Sequence, residues 1–234
     1  MEMTALLILG IDTSAKIASV ALMEDSRLLA ENTVYTTLTH SQIILPMVIK
    51  LLEDAGREIK DVNAVAISAG PGSYTGLRIG IAAVKGICMG LDIKAVGVST
   101  LEALAYNLKC VKADIFSVMN ARRDVMYFGH YYSDGDKIIS KAEDTVCSTD
   151  MILNAAQDIT GDIMLVGDLA QNIKERYFLD NENVRVAPYF MANQRAALLC
   201  QYAFEHEDKL ADALSLDAIY LQVTKAEKDL NLKN

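Results

Sequence analysis

The chain has 234 residues, 52% hydrophobic and 23% charged, a balance that supplies a well-buried core and argues against wholesale disorder. Its net charge of −9 disfavours tight, independent nucleic-acid binding, because an acidic chain gains nothing from counterion release. No apolar run approaches the roughly 20 residues that span a bilayer, so no membrane partner is expected. Cys88, Cys110, Cys147 and Cys200 form no C-x-x-C pair, and the apolar start lacks a basic flank. Both features fit a reducing cytoplasm.

Residues 6–11 are a continuous apolar run and predict a central strand, which Asp12-Thr13-Ser14 ends with turn chemistry. Residues 18–23 and 28–35 predict two further strands, giving an antiparallel meander. Residues 40–55 predict a helix with Thr39 or Ser41 at its N-cap and Gly56 past its end. A buried strand (63–68), a helix (76–90), a strand (94–98) and a helix (99–107) capped by Ser99 follow. Such alternation implies a parallel portion of the sheet. The second half restarts with strands 114–120, 125–132 and 137–146. Helix 149–157, strand 163–166 and helices 169–176 and 193–206 complete it. The pattern predicts an α/β chain of two related lobes, without a residue-level repeat.

Three segments are candidates for function. In Asp12-Thr13-Ser14, a carboxylate and two hydroxyls leave a buried strand. Such a turn can hold phosphate through N–H and hydroxyl groups, with the aspartate positioning a metal-bound water. A tight hairpin that satisfies its own backbone accounts for the same residues. The second segment, Gly70-Pro71-Gly72-Ser73-Tyr74-Thr75-Gly76-Leu77-Arg78, follows a strand and opens a helix. Ser73 and Thr75 are candidates for its cap, and a helix start can bind an anion. It is neither a Walker A loop nor G-x-G-x-x-G; the plainer reading is a rigid connector. The third is the helix pair around this loop. Ile43, Ile44, Leu45, Met47, Val48, Ile49, Leu51 and Leu52 are apolar nearly all round the first helix. Gly80, Ala83, Gly86 and Gly90 leave the second open to close approach. An interior helix pair explains this; a helix-to-helix interface with a partner chain is the favoured reading. His40, His130 and His206 form no metal-binding spacing and no G-x-S-x-G elbow occurs, so neither a metal nor a catalytic residue is assigned. Arg122-Arg123-Asp124 reads as a solvated turn, with anion contact the minority reading.

The ordered set Ile11-Asp12-Thr13-Ser14, His40-Ser41 with Leu45-Pro46, the nine residues from Gly70 to Arg78 with Ile79-Gly80, and Val98-Ser99-Thr100-Leu101-Glu102-Ala103-Leu104-Ala105 closely resembles the TsaB (YeaZ-like) family. Asn120-Ala121-Arg122-Arg123 and Val166-Gly167-Asp168 match in order. The family's P-x-Y-L-R reads Ala218-Ile219-Tyr220-Leu221-Gln222 here, without the Pro and Arg.

The resemblance implies an actin/Hsp70-like (ASKHA) two-lobed fold, each lobe a mixed sheet with flanking helices. Residues 1–107 form the first lobe and 108–234 the second, with the last helix a candidate to pack back on the first. It implies a non-catalytic subunit without a cofactor that binds TsaD, the enzyme forming N6-threonylcarbamoyladenosine at position 37 of ANN-decoding tRNAs. The ATPase TsaE joins the complex, the chain alone forms a homodimer, and tRNA is met only through the complex. The expected interface lies on helices 40–55 and 76–90, through Ile43, Ile44, Met47, Leu51, Ile79, Gly80, Ala83 and Ile87. Asp12, Thr13, Ser14, Gly72, Ser73 and Thr75 are candidate vestigial nucleotide or anion contacts. Where TsaD carries the H-x-x-x-H of its metal, this chain has Thr100 and Leu104. The alternatives are an autonomous actin-like ATPase or peptidase, and a weak nucleotide-binding module.

Overall fold

The computed structural model describes residues 5–121 and 125–222. The first half forms strands β1 (Leu7–Asp12), β2 (Ile17–Glu24) and β3 (Arg27–Tyr35), helix α1 (His40–Asp54), strand β4 (Ala64–Gly70), helix α2 (Tyr74–Leu91), strand β5 (Lys94–Ser99) and helix α3 (Thr100–Tyr106). Next come β6 (Ala113–Asn120), β7 (Met126–Ser133), β8 (Ile138–Ser140), β9 (Thr145–Cys147), α4 (Thr149–Gln157), β10 (Ile163–Val166), α5 (Ala170–Tyr177) and β11 (Val184–Val186). Helix α6 (Ala196–Glu205) and strand β12 (Ala211–Asp212) follow.

Two mixed sheets result. The first runs β12-β5-β4-β1-β2-β3 and the second β11-β10-β6-β7-β8, with β9 also on β7. Each is a meander extended by two parallel strands beside its first strand: β4 and β5 by β1, β10 and β11 by β6. The lobes thus repeat a topology without repeating a sequence.

Alternation along the strands assigns the layers. Leu7, Leu9 and Ile11 of β1 pack toward α1 and α2, whereas Ile8 faces α3 and α6. Gly10 brings α6 close: a Cβ there would collide with the Ala196 carbonyl and the Cys200 Sγ. In β6, Phe116 and Val118 pack toward α4 and α5, and Ile115 and Met119 toward α3. Helix α3 therefore lies between the sheets, with Ala103 and Tyr106 against the first and Leu101, Leu104 and Ala105 against the second. This is the actin/Hsp70-like two-lobed arrangement.

Helix starts follow capping chemistry. Thr39 caps α1, where the Gln42 side chain accepts the Thr39 N–H at 3.2 Å. Ser99 Oγ accepts the Leu101 and Glu102 N–H groups at 3.2 and 3.3 Å. Helix α2 starts two residues before the expected boundary. Ser73 is its N-cap, accepting the Gly76 N–H at 3.2 Å, while Thr75 lies inside the first turn and caps nothing. The strand expected over 137–146 is instead β8 and β9, which pair with opposite ends of β7. Between them Asp144 turns inward to accept hydrogen bonds from Ser99 and Tyr131, which takes that residue out of the ladder. β11 and β12, at three and two residues, are too short to leave a periodic signal.

Candidate functional site

β1 and β4 run parallel and deliver Asp12 and Gly70 to the same edge of the first sheet. There the turn and the glycine loop fit into one another. Asp12 Oδ1 accepts the Ser14 N–H at 2.8 Å and its hydroxyl at 2.6 Å. Thr13 Oγ1 donates to the Gly76 carbonyl at 2.8 Å, and the Ser73 N–H donates to the Ser14 carbonyl at 2.7 Å. A Cβ at Gly72, Gly76 or Gly80 would collide with Ser14 O, Thr13 O or Thr13 Oγ1 respectively. These glycines admit the chain's own turn. Asp12, Thr13 and Ser14 are buried, whereas Ser73 and Thr75 are exposed. Asp12 Oδ2 is buried without a hydrogen-bond partner. Burial pushes this carboxyl up to about 6, against the opposing pull of the two bonds from Ser14.

Opposite this edge lie the carboxyl ends of β6 and β10. Asp168 Oδ1 accepts the Asn120 N–H at 2.9 Å, and burial raises its carboxyl above the usual range. Gly167 sits at φ +111°, and a Cβ there would collide with the Val118 carbonyl. Val166-Gly167-Asp168 is thus a turn packed on the neighbouring strand. A cleft of about 1160 Å³ separates the lobes, lined by Lys16, His40, Tyr74, Tyr127, Asp168 and Gln194 among others. Crevices at strand carboxyl ends are where open α/β sheets take ligands. Arg122, Arg123 and Asp124 lie outside the described residues.

The chain returns to this site near residue 220, a feature unforeseen from sequence. The Ile219 N–H donates to the Ala69 carbonyl at 2.7 Å. Tyr220 lies against Tyr74 with the rings tilted by 34° and their centroids 5.0 Å apart, and Arg78 Nε donates to the Tyr220 hydroxyl at 2.9 Å. Its only trace in the sequence was the Tyr220 of the terminal motif.

Helices α1 and α2 divide the expected interface residues in two. Ile44, Met47 and Leu51 are buried against the chain's own first sheet, and Gly80 is filled by Thr13. These four face inward in the folded chain. Ile43, Ile79, Ala83 and Ile87 are half-buried. Further out stand Leu45 (46% exposed), Ile49 (59%) and Met89 (66%), which the expected set omitted. A helix apolar nearly all round gives no sequence signal of which side meets the sheet.

The model of the family described as "TsaD: tRNA N6-adenosine threonylcarbamoyltransferase" matches residues 34–231. TsaB of Escherichia coli, described as a tRNA threonylcarbamoyladenosine biosynthesis protein, is 34% identical over 163 residues, 68% of this chain and 70% of that one. The chain belongs to the TsaB family. The relatives that carry the TsaB name are named for tRNA threonylcarbamoyladenosine biosynthesis. The solved structure of YeaZ from Pseudomonas aeruginosa superposes with a TM-score of 0.80 at 25% identity, covering 92% of this chain and all of that one. Component A of the Acidaminococcus fermentans (R)-2-hydroxyglutaryl-CoA dehydratase is similar in fold alone, with a TM-score of 0.53 at 14% identity over 87% of this chain and all of that one.

In this TsaB-family chain, Thr100 and Leu104, the positions that the sequence resemblance sets against the metal ligands of TsaD, are part of the core. Thr100 Oγ1 lies 2.6 Å from Ser68 Oγ, both groups being buried, and Leu104 is fully buried against the second sheet. Neither side chain supplies a nitrogen or carboxylate ligand. Among the described residues, no group of three or more His, Cys, Asp or Glu is placed to hold a metal ion. No described helix is long and apolar enough to cross a membrane.

Proposed function

We propose that this chain is a non-catalytic, cytoplasmic subunit that binds TsaD in the complex forming N6-threonylcarbamoyladenosine at position 37 of ANN-decoding tRNAs. The observation that carries this reading is the outer face of α1 and α2. On these two helices Leu45, Ile49 and Met89 stand well exposed, and Ile43, Ile79, Ala83 and Ile87 are half-buried. Apolar surface grouped on two adjacent helices is costly in water and suits helix-to-helix docking. On this reading the same face closes a homodimer when TsaD is absent, TsaE joins through the heterodimer, and tRNA is met only in the assembly.

The test is size-exclusion chromatography of the chain with and without TsaD and TsaE. A stable heterodimer with TsaD is expected, and separate elution of the two chains would end the proposal. Ala83→Arg should abolish the heterodimer while the chain keeps its fold by circular dichroism. Normal assembly of that variant would place the contact elsewhere.

A second reading, nucleotide contact within the cleft, is favoured by the buried Asp12 beside a crevice of about 1160 Å³. It is countered by glycines whose free space the chain itself fills. Titrating ADP into the chain alone and into the complex separates the two. Metal-dependent ATP hydrolysis that is lost in Asp12→Ala would make the chain an enzyme.

A further inference from the structure

We propose that Ile219 and Tyr220 form a latch that sets the orientation of the first turn of α2, and through it the partner-binding face of that helix. The clause about the partner face rests on the function proposed above; the latch itself does not.

The path of the chain carries the argument. After α6, on the far side of the first sheet, β12 adds to the edge of β5 through the pairs Ala211–Ala95 and Asp212–Lys94. The chain then crosses to the α2 side, where Ala213 and Leu216 are buried in the core beneath α1 and α2. Lys85 of α2 donates to the Leu214 carbonyl at 3.1 Å. The strap ends on the signature loop. The Ile219 N–H takes the Ala69 carbonyl at 2.7 Å. Gly70, at φ +120°, leaves room for the Ile219 carbonyl, with which a Cβ at residue 70 would collide. A glycine at this position is therefore required both by its backbone angle and by the passage of the strap.

Tyr220 then closes on α2. The Arg78 guanidinium carbon lies 4.0 Å from the Tyr74 ring centroid and 5.8 Å from that of Tyr220, and Nε donates to the Tyr220 hydroxyl at 2.9 Å. Tyr74 and Arg78 sit one helical turn apart, so one side chain from the C-terminal strap grips two successive levels of α2. The grip is solvent-facing, since Tyr74 and Tyr220 are each 41% exposed. Exposed stacking and cation–π contacts are individually weak, which makes this the part of the strap that opens at least cost. Ile219, Tyr220 and Tyr74 also line the interlobe cleft, so the latch forms part of its wall. Binding a partner on α2 and closing the latch are then linked, and linkage is reciprocal.

Hydrogen exchange by mass spectrometry on the full chain, wild type against Tyr220→Ala and Tyr220→Phe, tests this. In Tyr220→Ala, exchange should rise about tenfold in peptides covering residues 74–80 and 216–222, with the second sheet unchanged. Tyr220→Phe keeps the ring and should fall between. TsaD affinity should drop in the same order, and TsaD should slow exchange at residue 219 in the wild type. Unchanged exchange over 74–80 overturns the latch. Raised exchange with unaltered TsaD affinity overturns its effect on the partner face. If the wild type does not bind TsaD, the proposed function fails and the partner-face clause with it, while the exchange data still decide the latch.

Discussion

The hydroxyl of Thr13 donates to the carbonyl of Gly76 at 2.8 Å across 63 residues of sequence, joining the end of β1 to the first turn of α2. This bond and the approach of Ser14 to Gly72 explain why the loop is rich in glycine: the side-chain space is taken by backbone.

Gly76→Ala should therefore destabilise the chain by about 1–3 kcal/mol, because its Cβ meets a carbonyl that cannot withdraw without moving β1. Gly86→Ala and Gly90→Ala are the controls. They lie in α2 with nothing within 4 Å of the added Cβ, and each should stabilise by about 0.5–1 kcal/mol. Urea unfolding of the three variants checks this; a neutral Gly76→Ala would mean the turn and helix are not close-packed.

Asp12 predicts a pH dependence. Its carboxyl titrates near 6 in the folded state against an ordinary 3.8, because burial disfavours the charge. Between these values the folded state binds more protons than the unfolded chain. Stability must then fall as pH rises from about 4 to about 6 and level off above, by about 3 kcal/mol for this group. Asp12→Asn, measured by urea unfolding across pH 4–8, should flatten that slope. A slope that persists would pass the titration to Asp144 or Asp168, whose carboxyls burial also raises.

The buried Thr100–Ser68 pair gives a test by double mutation. Thr100→Val removes one hydroxyl and leaves the other buried without its partner, at a cost of about 1–3 kcal/mol. Adding Ser68→Ala should recover much of that loss. Equal and additive losses would show that the two hydroxyls do not depend on each other.

On these helices, Ile49→Glu and Met89→Glu change residues 59% and 66% exposed, so unfolding free energies should stay within about 0.5 kcal/mol of wild type. Binding to TsaD, read by isothermal titration calorimetry, should weaken at least tenfold, about 1.4 kcal/mol, for each variant. Wild-type affinity in both would move the contact off this face.

Locally encoded features were legible in the sequence. The order of the longer strands and helices, the Ser99 cap, a cap at Thr39 or Ser41, and Gly56 beyond α1 each rest on residues close together in the chain. Hydrophobic period and capping are short-range chemistry, so they survive without a structure. What the tertiary structure decided is long-range. It turned Ile44, Met47, Leu51 and Gly80 inward and left Ile49 and Met89 outside, because a helix apolar on every side carries no sign of which side the sheet will take. It assigned the glycines of the loop to the packing of Thr13 and Ser14. It also brought Tyr220 to Arg78 across 142 residues, a contact between two exposed polar-tipped side chains that no periodicity announces.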